Sequence, residues 1–198
     1  MELGLEYISG QTAIDEDEKQ GLRIPTITTR TELDEFEHQN IENAIQWTMS
    51  RSFTASDILT EAFVRRLHRR MYADVWEWAG NFRRTNKNIG VDKFQIRIEL
   101  RNLLDNCRYW IEHKTYAPDE IAVRFSHRLV WIHCFPNGNG RHSRLIADVL
   151  VEKALVRPVF TWGSVTLSQP GAARSEYLGA LRSADTGDLA PLIAFARS

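Results

Sequence analysis

Residues 133–144 read HCFPNGNGRHSR, and this stretch decides the fold because it marks the junction between two helices. Pro136 cannot continue a helix, so His133 is predicted to lie in the last turn of the preceding one. Gly138 and Gly140 allow positive φ, which lets successive backbone N–H groups converge on an anion. The next helix starts at once, and its N-terminus adds a partial positive charge. The pattern therefore predicts an anion-binding loop between two helices.

Two arginines and one histidine add chemistry to this loop. Arg141 and Arg144 are three residues apart, so they lie on one helical face beside the loop. Guanidinium groups together with N–H groups are donors that suit a polyphosphate. The imidazole of His133 has an ordinary pKa of about 6.5, which allows it to accept a proton at neutral pH. These residues predict a general base beside a phosphate site, and hence the transfer of a phosphorus-centred group. The glycine spacing matches neither a Walker A loop nor a dinucleotide fingerprint.

Helical patterns extend from this junction in both directions. An apolar period of 3.6 residues begins at Leu33 with Phe36, after Thr31 as a predicted N-cap. Five further helices are predicted over 58–72, around 100–111, from Pro118 to Ile132, over 173–184 and over 189–197, besides the one that begins near Asn139.

One polar stretch interrupts the helical pattern. Residues 82–94 carry Asn and Gly at turn positions, which is typical of a small β-hairpin or an extended loop. The predicted fold class is therefore mainly α, with a helical core and one small β-hairpin. Residues 1–30 have an acidic run and no helical period, which predicts an extended arm, and residues 31–198 form the helical domain.

Composition excludes several classes of protein. Lys and Arg number 25 against 26 Asp and Glu, so the formal net charge is −1 and a nucleic-acid partner is not expected. No apolar run approaches the roughly 18 residues of a membrane-spanning helix, and the first residues do not resemble a secretory signal. Cys107 and Cys134 are too few for a disulfide framework, which favours a cytoplasmic location.

The stretch over residues 133–144 resembles the signature of the Fic family, His-x-Phe-x-(Asp/Glu)-Gly-Asn-Gly-Arg-x-x-Arg. It matches every fixed position except the acidic one, where Asn137 stands. Similarity to the Fic subgroup called mobile mystery protein B extends over most of residues 12–198 and includes residues 67–72 and 76–80.

This resemblance implies a helical core that binds ATP and Mg²⁺ and transfers AMP to a Ser, Thr or Tyr hydroxyl of a target protein. It implies His133 as the catalytic base and Phe135 as the anchor of the loop in the core. The residues that it implies for ATP and its phosphates are Asn137, Gly138, Asn139, Gly140, Arg141 and Arg144. It also implies a flap that docks the backbone of the target like an added strand, formed around Lys87, Asn88, Ile89 and Gly90.

Asn137 leaves the chemistry open. The family places Asp or Glu at this position as a Mg²⁺ ligand, and Mg²⁺ prefers anionic oxygen, whereas Asn137 offers one neutral carbonyl oxygen to a metal. Three alternatives follow: a slow adenylyltransferase, a Fic enzyme that transfers phosphate or another nucleotide, or a nucleotide-binding regulatory module with little turnover. The last alternative fits a toxin–antitoxin-like pair with a regulatory partner.

Many Fic proteins are inhibited by a glutamate that pairs with the second arginine of the signature. The family pattern, (Ser/Thr)-x-x-x-Glu-(Gly/Asn), is met in part by Glu42, where His38 replaces the hydroxyl residue. Helical periodicity instead places Glu37 inside the apolar stripe, where a carboxylate needs a cation. Glu37 and Glu42 are therefore the two candidate inhibitory residues. For Glu37 the alternatives are pairing with Arg144, pairing with another arginine, or capping of a loop at the edge of the stripe.

Overall fold

The computed structural model describes residues 16–164 and 172–198, and these ranges are mainly helical. The helices in chain order are α1 (Glu16–Lys19), α2 (Arg30–Met49), α3 (Ala55–Ile58), α4 (Glu61–Tyr72), α5 (Ile96–Glu112), α6 (Pro118–Ile132), α7 (Asn139–Val149), α8 (Ala172–Asp185) and α9 (Ala190–Arg197). A π-helical turn, Leu150–Ala154, continues α7 without a break. The predicted helical class is confirmed, and the first 15 residues of the predicted arm lie outside the described residues.

The junction between α6 and α7 lies at the centre of the packing. Helix α6 contacts α5, α7 and α9, while α2 and α7 both pack against α4. Pro118 starts α6, with Asp119 and Glu120 in the first turn where the helix dipole favours anions. The fully buried side chains of Trp76 and Phe135 belong to the shared core. Within the described ranges, no helix combines the length and the apolar character needed to cross a membrane.

The expected β-hairpin does not form, since no strand occurs in residues 82–94. The backbone N–H groups of Arg83 and Val91 donate to the carbonyls of Cys134 and of Ile132 at the end of α6, rather than to carbonyls across a hairpin. The Asn86 side chain closes the turn internally, because its amide donates to Asp92 and its oxygen accepts from the Lys93 N–H. Residues 82–94 therefore form an extended loop, called the flap below.

Helix α2 buries a face that overlaps only in part with the predicted one. Its buried residues repeat every three to four positions and are Leu33, Glu37, Asn40, Ala44 and Thr48. Phe36 is 45% exposed and Ile45 is 38% exposed, although both belong to the predicted stripe. The inner face tolerates polar residues because the Asn40 amide and the Thr48 hydroxyl donate to carbonyls of their own helix.

Threonine caps set the helix boundaries that the apolar period misplaced. Thr29, and not Thr31, caps α2 through a capping box with Glu32. Thr54 and Thr60 cap α3 and α4 separately, so the helix predicted over 58–72 is divided in two. A capping hydroxyl accepts from the backbone of the following turn, and this local bond outweighs a continuous apolar period.

Candidate active site

His133 directly follows Ile132, the last residue of α6. Its backbone is left-handed (φ 57, ψ 60), so it is the C-cap rather than part of the last turn. Nδ1 of its ring lies 3.3 Å from the carbonyl oxygen of Val130. Because a carbonyl only accepts, Nδ1 must carry the proton, and the lone pair that could act as a base lies on Nε2.

The environment of His133 keeps its imidazole neutral. Burial lowers the pKa of His133 to about 4, and the positive charges of Arg83 and Lys87 act in the same direction. The hydrogen bond to Val130 opposes this shift. The neutral form is the one that can accept a proton, so His133 is in its basic form at physiological pH.

The loop after His133 is held by its own asparagine. The side-chain oxygen of Asn139 accepts from the Phe135 N–H at 2.9 Å, and its amide donates to the Phe135 carbonyl at 2.8 Å. Phe135 is fully buried and stacks on the His68 ring with a centroid distance of 3.7 Å. The side chain of Asn139 therefore shapes the loop, and only its backbone remains to meet a ligand. The buried Phe135 ring matches the predicted anchor.

His68 fixes the middle of the loop from α4. The Gly80 N–H donates to Nδ1 of His68 at 3.0 Å, so Nε2 carries the proton and donates to the Asn137 carbonyl at 3.0 Å. Burial is the first cause that lowers the pKa of His68 well below its usual value, and the nearby His142 adds to it. A neutral imidazole thus joins the segment before the flap to the signature loop.

Gly138 supplies the turn that aims the N-terminus of α7. Its φ is +76, and a Cβ there would lie 2.5 Å from the Tyr72 ring. The first backbone bond of α7 joins the His142 N–H to the Gly138 carbonyl, so the N–H groups of residues 139–141 precede the helical ladder. These groups lie where the sequence predicts an anion site, and anion binding there stays a prediction. Gly140 is helical, which corrects its predicted positive φ.

Asn137 does not form a metal site with its neighbours. Its side-chain oxygen lies 2.6 Å from the Gly138 N–H, which donates to it. Among the described residues, no group of three or more His, Cys, Asp or Glu side chains could hold a metal ion. The donor set therefore does not fit a dedicated Mg²⁺ site, because the one suitable oxygen is neutral and already accepts a hydrogen bond.

Arg141 forms an ion pair with the buried Glu37 of α2. Nη2 of Arg141 lies 2.7 Å from Oε2 of Glu37, whose side chain is 3% exposed. The Trp76 indole N–H donates to the other carboxylate oxygen at 2.7 Å. Glu37 therefore pairs with the first arginine of the signature and not with Arg144, which agrees with the alternative that another arginine is its partner.

Unlike Arg141 and Glu37, Arg144 and Glu42 do not pair with each other or across the site in the described part of the chain. The Arg144 guanidinium lies 4.9 Å from the centroid of the Tyr177 ring, and in the part of the chain that the structure describes it forms no ion pair. Glu42 lies on the outer surface of α2, where it contacts His38 at 3.1 Å. Glu42 is therefore remote from the two arginines, whereas Glu37 meets one of them.

The flap covers His133. A Cβ at Gly90, whose φ is +95, would lie 2.5 Å from the Cβ of His133, so the two backbones are in close contact. Lys87 points inward, with its ammonium 2.6 Å from the carboxylate of Glu18 in α1. Asn88 and Ile89 are exposed at the outer edge of the flap. Of the predicted flap residues, Lys87 therefore faces the protein, Asn88 and Ile89 face solvent, and Gly90 is exposed while one side of its backbone contacts His133.

Three residues of this site were missed by reasoning from the sequence alone. His68 and Tyr72 lie in the stretch over residues 67–72 that resembles the family, but nothing in their spacing assigned them a contact with the loop. Arg83, which contacts the His133 carbonyl, has no motif of its own. Contacts between residues 50 or more positions apart leave no periodic signal in a single sequence.

Comparison with protein families identifies the region that carries the site. The Fic/DOC family model matches residues 58–151. The "Protein adenylyltransferase Fic" of Drosophila grimshawi is 32% identical over 134 residues, which cover 65% of this chain and 26% of the relative. The chain thus spans about a quarter of the length of that relative.

Solved structures share the fold at lower identity. Fic-1 from C. elegans superposes with a TM-score of 0.63 at 23% identity, covering 90% of this chain and 51% of the other. The BepC protein of Bartonella tribocorum, a VirB-translocated effector crystallised with bound AMPPNP, gives a TM-score of 0.68 at 18% identity, with 92% and 97% coverage. The family match, the relative and the shared helical fold agree with the signature loop, and residues 58–151 of this chain carry the Fic/DOC family domain.

Proposed function

We propose that this protein transfers AMP from ATP to a hydroxyl group of a target protein. The observation that carries the proposal is a neutral, buried His133 beside a glycine turn that leads into α7, whose first turns carry Arg141 and Arg144. The relatives named protein adenylyltransferase support it, since they are similar over the region that contains the site. The AMPPNP-bound BepC structure, which shares the fold, supports a nucleotide as the ligand.

In the proposed reaction, His133 is the general base. Nε2 accepts the proton of a Ser, Thr or Tyr hydroxyl, and the hydroxyl oxygen attacks the α-phosphorus of ATP. A new oxygen–phosphorus bond joins AMP to the target, while the bond to the β-phosphate breaks and pyrophosphate leaves. The bond from Nδ1 to Val130 keeps the lone pair on Nε2 and stabilises the positive charge that forms on the ring.

The phosphate side of the site is formed by the start of α7. The N–H groups of residues 139–141 and the guanidinium groups of Arg141 and Arg144 would bind the phosphates and stabilise the charge of the leaving pyrophosphate. The side-chain oxygen of Asn137 already accepts the Gly138 N–H, so the proposed reaction assigns it no role as a metal ligand. The expectation of Mg²⁺ therefore depends on the phosphates of the nucleotide itself.

The flap would hold the target. An extended peptide could pair with the exposed backbone around Asn88 and Ile89, as a strand adds to a sheet edge. Ile89 is 48% exposed and would contact a side chain of the target next to the modified hydroxyl. Lys87 would act indirectly, because its ammonium is held by Glu18.

Glu37 is the proposed inhibitory residue. Its carboxylate occupies the guanidinium of Arg141, which a phosphate would otherwise bind. ATP must then compete with this ion pair, so the resting protein would have low activity. Glu42 is exposed, and among the described residues its carboxylate pairs with His38 rather than with an arginine of the signature.

Labelled nucleotides test the proposal. The purified protein and its Glu37→Gly variant would be incubated with a cell extract and ATP labelled at either the α- or the γ-phosphate. Protein labelled only from the α position, and not by the His133→Ala variant, is the expected result. Labelling only from the γ position would instead identify a kinase. ATP binding without transfer of either label would contradict the transferase proposal.

A nucleotide-binding regulatory module is the second candidate function, and Asn137 favours it. The Asn137→Asp variant separates the two candidates, because an aspartate restores an anionic oxygen for Mg²⁺. A large Mg²⁺-dependent gain in labelling is expected if the site is otherwise intact. A variant that binds ATP with Mg²⁺ and still transfers nothing would support the module. A regulatory or antitoxin-like partner and a cytoplasmic location stay predictions from the sequence.

A further inference from the structure

Arg83 is a buried arginine outside the signature that joins the flap to the catalytic loop. It is 3% exposed, and among the described residues its guanidinium donates only to uncharged oxygens. Nε donates to the His133 carbonyl at 2.6 Å, Nη1 to the Thr85 carbonyl at 2.8 Å, and Nη2 to the Val91 carbonyl. A buried charge without a carboxylate is costly. Its acceptors lie in both segments, so the side chain links them.

Backbone bonds extend this link along the loop. Helix α6 ends at Ile132, so the carbonyls that follow have passed the end of its hydrogen-bond ladder. The Val91 N–H donates to the Ile132 carbonyl at 3.4 Å, and the Arg83 N–H donates to the Cys134 carbonyl at 3.0 Å. With the Nε bond to His133, three consecutive carbonyls, from the last residue of α6 to the second residue after it, accept from the flap.

The carbonyl that Arg83 holds belongs to a non-glycine residue with a left-handed backbone. A left-handed conformation is uncommon for a residue with a Cβ and persists where surrounding contacts enforce it. The Nε bond fixes the direction of the His133 carbonyl in this conformation. The same guanidinium holds Val91, next to Gly90, whose backbone touches His133.

We propose that Arg83 is a positioning residue that sets the distance between the flap and His133. This inference rests on the proposed function, because the target hydroxyl would have to lie between these two elements. Arg83 itself would touch neither ATP nor the target. It would act by holding His133 in its left-handed turn and the flap at one separation from it.

Two matched arginine-to-lysine variants test the proposal. Arg83→Lys keeps the charge but cannot reach the flap and the loop together, because lysine lacks the planar fork. Arg197→Lys is the control, since Arg197 also holds two carbonyls, those of Pro158 and Val159, and pairs with Asp119 far along the chain. We expect Arg83→Lys to lower turnover about 100-fold with unchanged ATP affinity. We expect Arg197→Lys to lower the melting temperature with unchanged turnover.

Two results would overturn the role of Arg83. One is a turnover that Arg83→Lys lowers no more than Arg197→Lys does. The other is a loss of ATP affinity in Arg83→Lys as large as its loss of turnover, which would indicate general disruption of the site.

Amide hydrogen exchange tests the link without any transferase activity. The Val91 N–H should exchange faster in Arg83→Lys than in the wild-type protein or in Arg197→Lys, and equal rates would refute the link. This result holds even if the wild-type protein transfers nothing, so the failure of the proposed function and the failure of the link are distinguishable.

If Arg83→Lys does not fold, the wild-type chain still decides the question. The Nε–H of Arg83 should exchange with water much more slowly than that of Arg97, whose side chain is 64% exposed. Similar exchange rates at the two arginines would overturn the proposal.

Discussion

The two sides of the signature loop are held by different kinds of contact. On the base side, Arg83 and His68 bond to carbonyls of the loop, which are neutral acceptors. On the phosphate side, Arg141 is held by the carboxylate of Glu37. A phosphate can replace a carboxylate on a guanidinium but cannot replace a backbone carbonyl within a loop. The contacts on the base side therefore leave no place for a ligand to compete. On the phosphate side, a nucleotide phosphate would be able to replace Glu37 on Arg141.

The largest effect is expected on the base side. His133→Ala removes the proton acceptor and should lower the transfer rate by about 10²- to 10⁴-fold, a range typical of general bases. ATP affinity should remain, because the donors at the start of α7 are unchanged. Steady-state rates and calorimetric titration measure the two quantities. His113→Ala, at an exposed histidine, is the control. Transfer at the wild-type rate by His133→Ala would show that another group is the base.

The second largest effect is expected at the ion pair between Glu37 and Arg141. Glu37→Gln removes the competing charge and is expected to tighten ATP binding by about 5- to 150-fold, the usual range of coupling between two sites. Glu42→Gln should leave the affinity unchanged, because among the residues that the structure describes its exposed carboxylate pairs with His38 alone. Calorimetric titration of ATP into the two variants gives the comparison. Equal affinities would refute competition between Glu37 and the phosphates.

Two glycines on the phosphate side should respond in opposite ways. Gly138→Ala places a Cβ 2.5 Å from the Tyr72 ring at positive φ, and the backbone strain alone costs about 1–2 kcal/mol. Gly140→Ala lies in a helix with no atom within 4 Å of the new Cβ, so it should be neutral or stabilising. Chemical denaturation measures both. Equal destabilisation by Gly140→Ala and Gly138→Ala would contradict the difference in backbone conformation and surroundings between the two glycines.

The smallest effect is expected at Asp148, one turn after Arg144. Burial raises the pKa of Asp148 to about 7, although hydrogen bonds from Trp162 and Phe160 oppose the shift. A carboxyl whose folded pKa lies above its unfolded value stabilises the protein at low pH, and this contribution is lost as the pH rises through about 7. Asp148→Asn should therefore raise the melting temperature at pH 8 by about 2–4 °C and leave it nearly unchanged at pH 4. Thermal unfolding at the two pH values measures this, and an equal change at both would contradict it.

The helices that could be predicted were those with clear local signals. Pro118 with two acidic residues behind it located the start of α6, and the asparagine after the glycine turn located the start of α7. The inner face of α2 could not be predicted from hydrophobicity, because Asn40 and Thr48 satisfy themselves locally and replace apolar residues. The flap was assigned as a hairpin because its turn residues are typical of one, whereas its backbone bonds go to another segment.

The sequence by itself determined the resemblance to the Fic family, the signature loop, the catalytic histidine as a candidate and the helical class, because these depend on contiguous residues and local periods. It also placed Glu37 on the buried face of α2. Only the tertiary structure decided that Glu37 meets Arg141 rather than Arg144, and that Arg83 and His68 hold the loop. These contacts join positions 50 or more residues apart. Distance along the chain does not determine distance in space until the helices have packed.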